Sequence, residues 1–188
     1  MRVLIAEDET LIRLDLRTSL ETAGIEVCAE ASDGIEALEL ARTASPDVAL
    51  LDVKMPRLDG IETARRMLEE RPIPIVLVSA FTEQRLVERA AEAGVFGYLS
   101  KPFRERDLVP AIATARARFD QLAAVREQAD SLTEALATRK VIERAKGLLM
   151  ASQGLTEQDA FTRLRRASQT SGKPMRIIAE AIVETLAQ

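Results

Sequence analysis

Hydrophobic positions follow two rhythms along this chain. Up to about Ser100, short and nearly continuous apolar runs alternate with amphipathic stretches bounded by turn formers. The runs Arg2–Ala6, Glu26–Ala31, Asp47–Val53, Ile73–Ala80 and Val95–Leu99 predict five strands. Between them, Thr10 is expected to cap a helix carrying Leu11, Leu14 and Leu20, which Gly24 ends. Asp33 opens a second helix with Ile35, Leu38 and Leu40, stopped before Pro46. Helices are also expected over Ile61–Leu68 and Glu83–Ala93, the latter closed by Gly94. A strand that is apolar at every position must be covered on both faces, and strands separated by helices pair in parallel. The prediction is an α/β domain with a five-stranded, doubly wound parallel sheet.

The second rhythm has steps of three and four. Leu108, Ile112, Ala115, Phe119, Leu122, Val125, Ala129, Leu132 and Leu136 trace one stripe of a long helix. That stripe fits either a coiled coil or a helix packed on its own chain. The pattern then stays helical to about Gly154, and Thr156 with Asp159 resembles a capping box for another helix. Its apolar face is read as Ala160, Phe161, Leu164 and Ala167. Ser171-Gly172 breaks the chain, and Pro174 starts a last helix with Ile177, Ile178, Ala181, Ile182 and Leu186. Three helices with one apolar face each should pack as a small all-α bundle. The expected division is a first domain over 1–118, a helical connector over 119–138 and the three-helix domain over 139–188.

Composition narrows the chemistry. The chain has 188 residues, 47% hydrophobic and 30% charged, which supplies a real core. Aromatics are only 3%, so an aromatic-lined pocket or a base-stacking platform is not expected. Having one cysteine, Cys28, and no histidine excludes disulfides, Cys/His zinc sites and imidazole bases. No apolar run approaches the ~20 residues of a membrane span, and the start lacks a signal-peptide pattern, so a cytoplasmic location is expected. The net charge of −4 divides unevenly: 17 basic and 25 acidic residues to Thr138 give −8, and 9 basic and 5 acidic from Arg139 give +4. Two halves of opposite sign suggest two jobs.

The polar residues at the strand ends form a constellation. Strand one runs into Glu7 and Asp8, strand three ends on Asp52, strand four on Ser79, and strand five runs into Lys101. Ligands of open α/β sheets sit beyond the carboxyl ends of the strands. Three carboxylates there repel one another unless a cation joins them, and all-oxygen donors suit magnesium. A lysine and a hydroxyl opposite suit a phosphoryl group. Nucleotide loops of the GxxxxGK[ST] and GxGxxG kinds are missing. A dehalogenase-like phosphatase would want a second acid where Lys54 stands. AEDE, LLDVKMPRLDG, LVSA and YLSKPF together resemble the receiver domain of two-component response regulators, over roughly Met1–Arg118. The resemblance implies a flavodoxin-like receiver with Asp52 as phosphoacceptor, and with Glu7, Asp8 and the Lys54 carbonyl helping Asp52 bind Mg2+. It implies further that Ser79 and Lys101 hold the phosphoryl group, that Lys101-Pro102 is cis, and that Tyr98 swings inward as Ser79 is recruited. The donor would be the phosphohistidine of a partner histidine kinase. Catalysis is then limited to the protein's own phosphoryl transfer and autodephosphorylation.

The tail has a second resemblance. Basic residues cluster on its helices, with Lys140 and Arg144 on one face, Arg139 and Lys146 on another, and Arg163, Arg165 and Arg166 close together. Such a surface suits a phosphate-bearing partner, and charge alone does not choose RNA over DNA. RKVIERAKGLLMASQGLTEQDAFTRLRRAS resembles the ANTAR domain, an RNA-binding output module of transcription antiterminators, over roughly Leu132–Leu186. The resemblance implies RNA stem-loops as ligands, with Lys140, Arg144, Lys146, Arg165 and Arg166 the candidate contacts. Gly147 costs about 1 kcal/mol in mid-helix against alanine, which close approach of another helix or of an RNA backbone would explain. RNA polymerase and a second copy formed on phosphorylation are further partners in this reading. A DNA-binding or purely protein-binding regulator remains the alternative.

Overall fold

The computed structural model describes residues 1–80 and 84–186, with side chains for all of these except 84–87. The chain forms two compact units, Met1–Ala123 and Ala124–Gln188. In the first, β1 (Arg2–Ala6), α1 (Thr10–Thr22), β2 (Glu26–Ala31), α2 (Gly34–Ala44), β3 (Val48–Asp52), α3 (Gly60–Glu70), β4 (Ile75–Ser79), α4 (Gln84–Glu92) and β5 (Gly97–Ser100) alternate. Then α5 (Glu105–Gln153) begins in this unit and ends in the second, which adds α6 (Glu157–Ser171) and α7 (Met175–Leu186). The expected helix start at Glu83 lies outside the described residues.

The five strands are parallel in the order β2-β1-β3-β4-β5, as the apolar runs demand. Alternation along each strand sends neighbouring residues to opposite faces. Leu4, Ala49, Leu51, Ile75 and Leu77 pack with Ala37, Ala41, Ile61, Ala64 and Met67 of α2 and α3. Val3, Ile5, Val48, Leu50, Val76 and Val78 pack with Leu16 and Leu20 of α1 and with Leu108, Ile112 and Ala115 of α5. Both faces are thus dry. Register aligns the strand ends as well, because Ala6 lies beside Leu51, Asp52 beside Val78 and Ser79 beside Ser100.

Several face assignments differ from the sequence reading. Thr10 is the first residue of α1, Glu9 is its cap, and no side chain caps it. Leu11 and Leu14 are exposed, because the buried stripe runs through Ile12, Leu16 and Leu20, spaced four apart. Ile35 of α2 is also exposed, while Asp33 caps that helix by accepting from the amides of Ile35 and Glu36. Along α5 the stripe packs on its own unit as far as Phe119, whose ring meets Phe96 edge-on at 5.3 Å. Beyond it, Leu122, Val125, Leu132 and Leu136 are exposed.

The second unit is a small bundle around Ala145, Leu149, Ala160, Leu164 and Ala179, flanked by Ile178, Ile182 and Val183. Thr156 caps α6, accepting from the Asp159 amide and donating to its carboxylate at 2.6 Å. Ile177, Ala181 and Leu186, expected in the core, are exposed. So is Phe161, at 42%.

Candidate functional site

The ends of β1, β3, β4 and β5 deliver polar groups to a common edge. The amide of Glu7, just after β1, donates to the Ala31 carbonyl of β2, which turns the Glu7 side chain inward to full burial. Its Oε2 accepts from Lys101 Nζ at 2.7 Å. That ammonium also lies 2.7 Å from Asp52 Oδ1, and Asp52 Oδ2 accepts from the Lys54 amide at 3.0 Å. Lys101 reaches this point because its amide donates to the Ser79 carbonyl at 2.8 Å, and the Lys101-Pro102 peptide is cis. Ser79 is buried at the end of β4. Asp8 is exposed beside Glu7. A cavity of about 540 Å³ opens here, lined by Asp8, Asp52, Lys54, Ser79, Lys101 and Phe103 among others. The half-buried Tyr98 instead packs against the α2–α3 face of the sheet.

The electrostatics follow from burial. Burial pushes the Glu7 carboxyl above its usual 4.5; Lys101 pulls it back, and the charge on Asp52 pushes it up further. Burial works against the charged form of Lys101, yet its hydrogen bonds to Asp52 and Glu7 hold it above 10.5. Glu7, Asp8 and Asp52 each offer an oxygen within 4.8 Å of the others. The Lys101 ammonium alone does not balance three carboxylates, two of them buried, so a divalent cation fits beside it. The donors are hard oxygens, which suits magnesium better than a soft metal.

Further residues hold this edge that the sequence reading does not assign to the site, although Gly60 reads there as a chain break and Asp33 as a helix start. The Gly60 amide donates to the Val53 carbonyl at 3.0 Å, and a Cβ at Gly60 would fall 2.0 Å from the Asp52 carbonyl oxygen. Asp59 caps α3 through the Glu62 amide at 2.7 Å. Arg57, with a left-handed φ of 64°, ion-pairs with the buried Asp33 carboxylate. The Gly in the DG pair was a visible signal; the Arg57–Asp33 pair, 24 residues apart, had none.

In the second unit, Lys140, Arg144, Arg165 and Arg166 are exposed. Lys146 is not available in the same way. It is 7% exposed, and its ammonium binds Glu157 at 2.6 Å and Glu143 at 3.0 Å, so it joins α5 to the start of α6. Gly147 has open space where a Cβ would stand, which removes close helix packing as its explanation.

Comparison with known proteins agrees with this geometry. The response regulator receiver domain family matches residues 3–113, and the ANTAR domain family matches residues 130–183. The transcriptional regulatory protein PdtaR of Mycobacterium tuberculosis is 49% identical over 185 residues, covering 98% of this chain and 90% of that protein. This chain belongs to the response-regulator family. The regulator is also similar to the transcriptional regulatory protein CseB of Streptomyces coelicolor, 39% identical over 117 residues that cover 62% of this chain and 50% of CseB. Among solved structures, the signal receiver domain of a modulated diguanylate cyclase from Desulfovibrio desulfuricans G20 matches with a TM-score of 0.60 at 34% identity, covering 64% of this chain and 96% of that one. The receiver domain of NarL from Mycobacterium tuberculosis matches with 0.58 at 37%, covering 60% and 92%. A receiver followed by an ANTAR domain makes this response regulator a phosphorylation-controlled regulator with an RNA-binding, antitermination output. Among its described residues, no helix is long and apolar enough to cross a membrane.

Proposed function

We propose that Asp52 takes a phosphoryl group from the phosphohistidine of a partner histidine kinase and thereby controls RNA binding by the second unit. An Asp52 carboxylate oxygen attacks phosphorus, the P–N bond breaks, and the imidazole leaves with the bonding pair. The observation that carries this reading is the Lys101 ammonium shared between Asp52 and Glu7 at the wall of an open cavity. Lys101 is poised to pair with a phosphoryl oxygen, and the Ser79 hydroxyl to donate to another, with Tyr98 following Ser79 inward. Glu7, Asp8, Asp52 and the Lys54 carbonyl would hold Mg2+, which when bound supplies positive charge to the phosphoryl oxygens. Beyond this transfer and autodephosphorylation, in which water attacks phosphorus and inorganic phosphate leaves Asp52, the protein does no catalysis.

In this reading the receiver spans 1–118, a connector 119–138 and the RNA module 139–188. The exposed Leu122, Val125, Leu132 and Leu136 suit pairing with a second copy on phosphorylation. Lys140, Arg144, Arg165 and Arg166 would track the phosphates of an RNA stem-loop, and the complex would act beside RNA polymerase in the cytoplasm. The test is to crosslink and sequence RNA bound by the purified protein with and without phosphodonor, with duplex DNA as competitor at matched salt. Stem-loops enriched on phosphorylation support the proposal; preference for duplex DNA, or no nucleic acid at all, contradicts it.

A further inference from the structure

Phe161 is the only aromatic residue from Ala124 to the end of the chain. Sequence spacing assigned it to the bundle core, but Ala160 and Leu164 fill that core, and the ring stands 42% exposed. It lines an open groove of about 560 Å³ together with Thr138, Arg139 and Ile142 of α5. Two carboxylates, Glu134 and Glu143, also line the groove. Glu134 pairs with Arg176 at 3.3 Å and Glu143 with Lys146 at 3.0 Å, so both are held in place, and each still has lone pairs to accept with.

We propose that this groove holds an unpaired RNA base stacked on Phe161, with its edge donating to the groove carboxylates. The inference rests on the RNA-binding reading and goes beyond it by naming a base-reading site. A phosphate is a poor occupant of the groove itself, because two carboxylates line it. The exposed cations at and beside its rim, Arg139, Lys140 and Arg144, instead suit the backbone on either side. Specific RNA recognition uses splayed bases stacked on aromatic rings and bonded along their edges. The groove joins an apolar face with carboxylate acceptors, so it favours a base with an exocyclic amine: guanine best, with its N1–H and N2 amine side by side, and uracil worst, because its one N3–H lies between two carbonyl oxygens that the carboxylates repel.

The experiment is a selection of RNA hairpins with randomised loops on the phosphorylated full-length chain and on its Phe161→Ala and Phe161→Tyr variants. The parent and Phe161→Tyr should enrich loops sharing an amine-bearing base at one unpaired position. Phe161→Ala should bind the winning hairpin more weakly by roughly five- to 150-fold, the range for loss of one stacked base. Its salt dependence should not change, since no phosphate contact is lost. An abasic site at the shared position should weaken the parent equally and cost Phe161→Ala nothing more. Equal binding by Phe161→Ala, or enrichment of uracil, overturns the base site while leaving RNA binding intact. A change of oligomeric state in Phe161→Ala without a change in RNA affinity would make the groove an interface between copies, which also overturns it. If no hairpin is retained by any of the three proteins, the RNA reading fails and the base site with it.

Discussion

Gly60 lies so close to Asp52 that a Cβ on it would fall 2.0 Å from the Asp52 carbonyl oxygen. The first residue of α3 therefore fixes where β3 stops, and with it where the Asp52 carboxylate stands. Gly60→Ala must push α3 and the end of β3 apart. Overpacking of this kind costs about 1–3 kcal/mol. Denaturant unfolding should show that loss, and phosphoryl uptake from a small donor should fall further than the stability change alone implies. A variant that unfolds and labels like the parent would remove the close approach as a determinant of the site.

The acidic cluster gives a prediction in two parts. Glu7→Gln with Asp8→Asn should weaken magnesium binding and phosphorylation together, as calorimetry and labelling would register. Without magnesium, the same variant should melt higher than the parent, because like charges no longer repel. The sign with pH follows from Glu7. Its folded carboxyl titrates above 4.5, so the folded state holds the proton more tightly than the unfolded chain. In metal-free protein its contribution to stability therefore falls as pH rises from 4.5 through the raised value. Glu7→Gln alone should flatten that part of the pH–stability curve. An unchanged slope would mean that Glu7 is not the group that titrates.

Within the second unit, the basic residues should separate into two kinds. Alanine at Lys140, Arg144, Arg165 or Arg166 should reduce the salt slope of RNA binding by roughly 0.7–1 per lost contact, with little change in melting. Lys146→Met should instead lower the melting temperature, because it leaves Glu143 and Glu157 unpaired between α5 and α6. Hydrogen bonds to Glu157 and Glu143 hold the Lys146 ammonium above 10.5, so its contribution is present at neutral pH and is lost as pH rises through that raised value. Lys146→Met with full thermal stability but a reduced salt slope would restore it to the RNA surface.

How far the sequence could be read depended on which periodicity governed each residue. Strand ends were legible because continuous apolar runs imply a parallel sheet, and a parallel sheet gathers its carboxyl ends at one edge. Glu7, Asp52, Ser79 and Lys101 meet there for that reason. Helix faces were harder. Leu11 and Leu14 sit three apart and mimic a stripe, while the buried stripe of α1 uses Ile12, Leu16 and Leu20. Phe161 follows Ala160 directly, and two adjacent helical residues point about 100° apart, so only one of them faces the core. Lys146 looked like a free cation because Glu157, eleven positions on, comes close only after the chain turns at Gly154. Size and charge alone did not reveal that partner.

The central claim is that Asp52 chemistry governs the RNA surface, and one titration tests it most directly. A stem-loop recovered from the crosslinked pool is titrated into the full-length parent and into Asp52→Asn, each with and without a small phosphodonor and magnesium. The parent should gain one acid-stable, base-labile phosphoryl group and bind the RNA more tightly. Asp52→Asn should gain neither, while keeping the parent's unphosphorylated affinity. Equal labelling of Asp52→Asn, or a phosphorylated parent that binds no more tightly than before, would contradict the account.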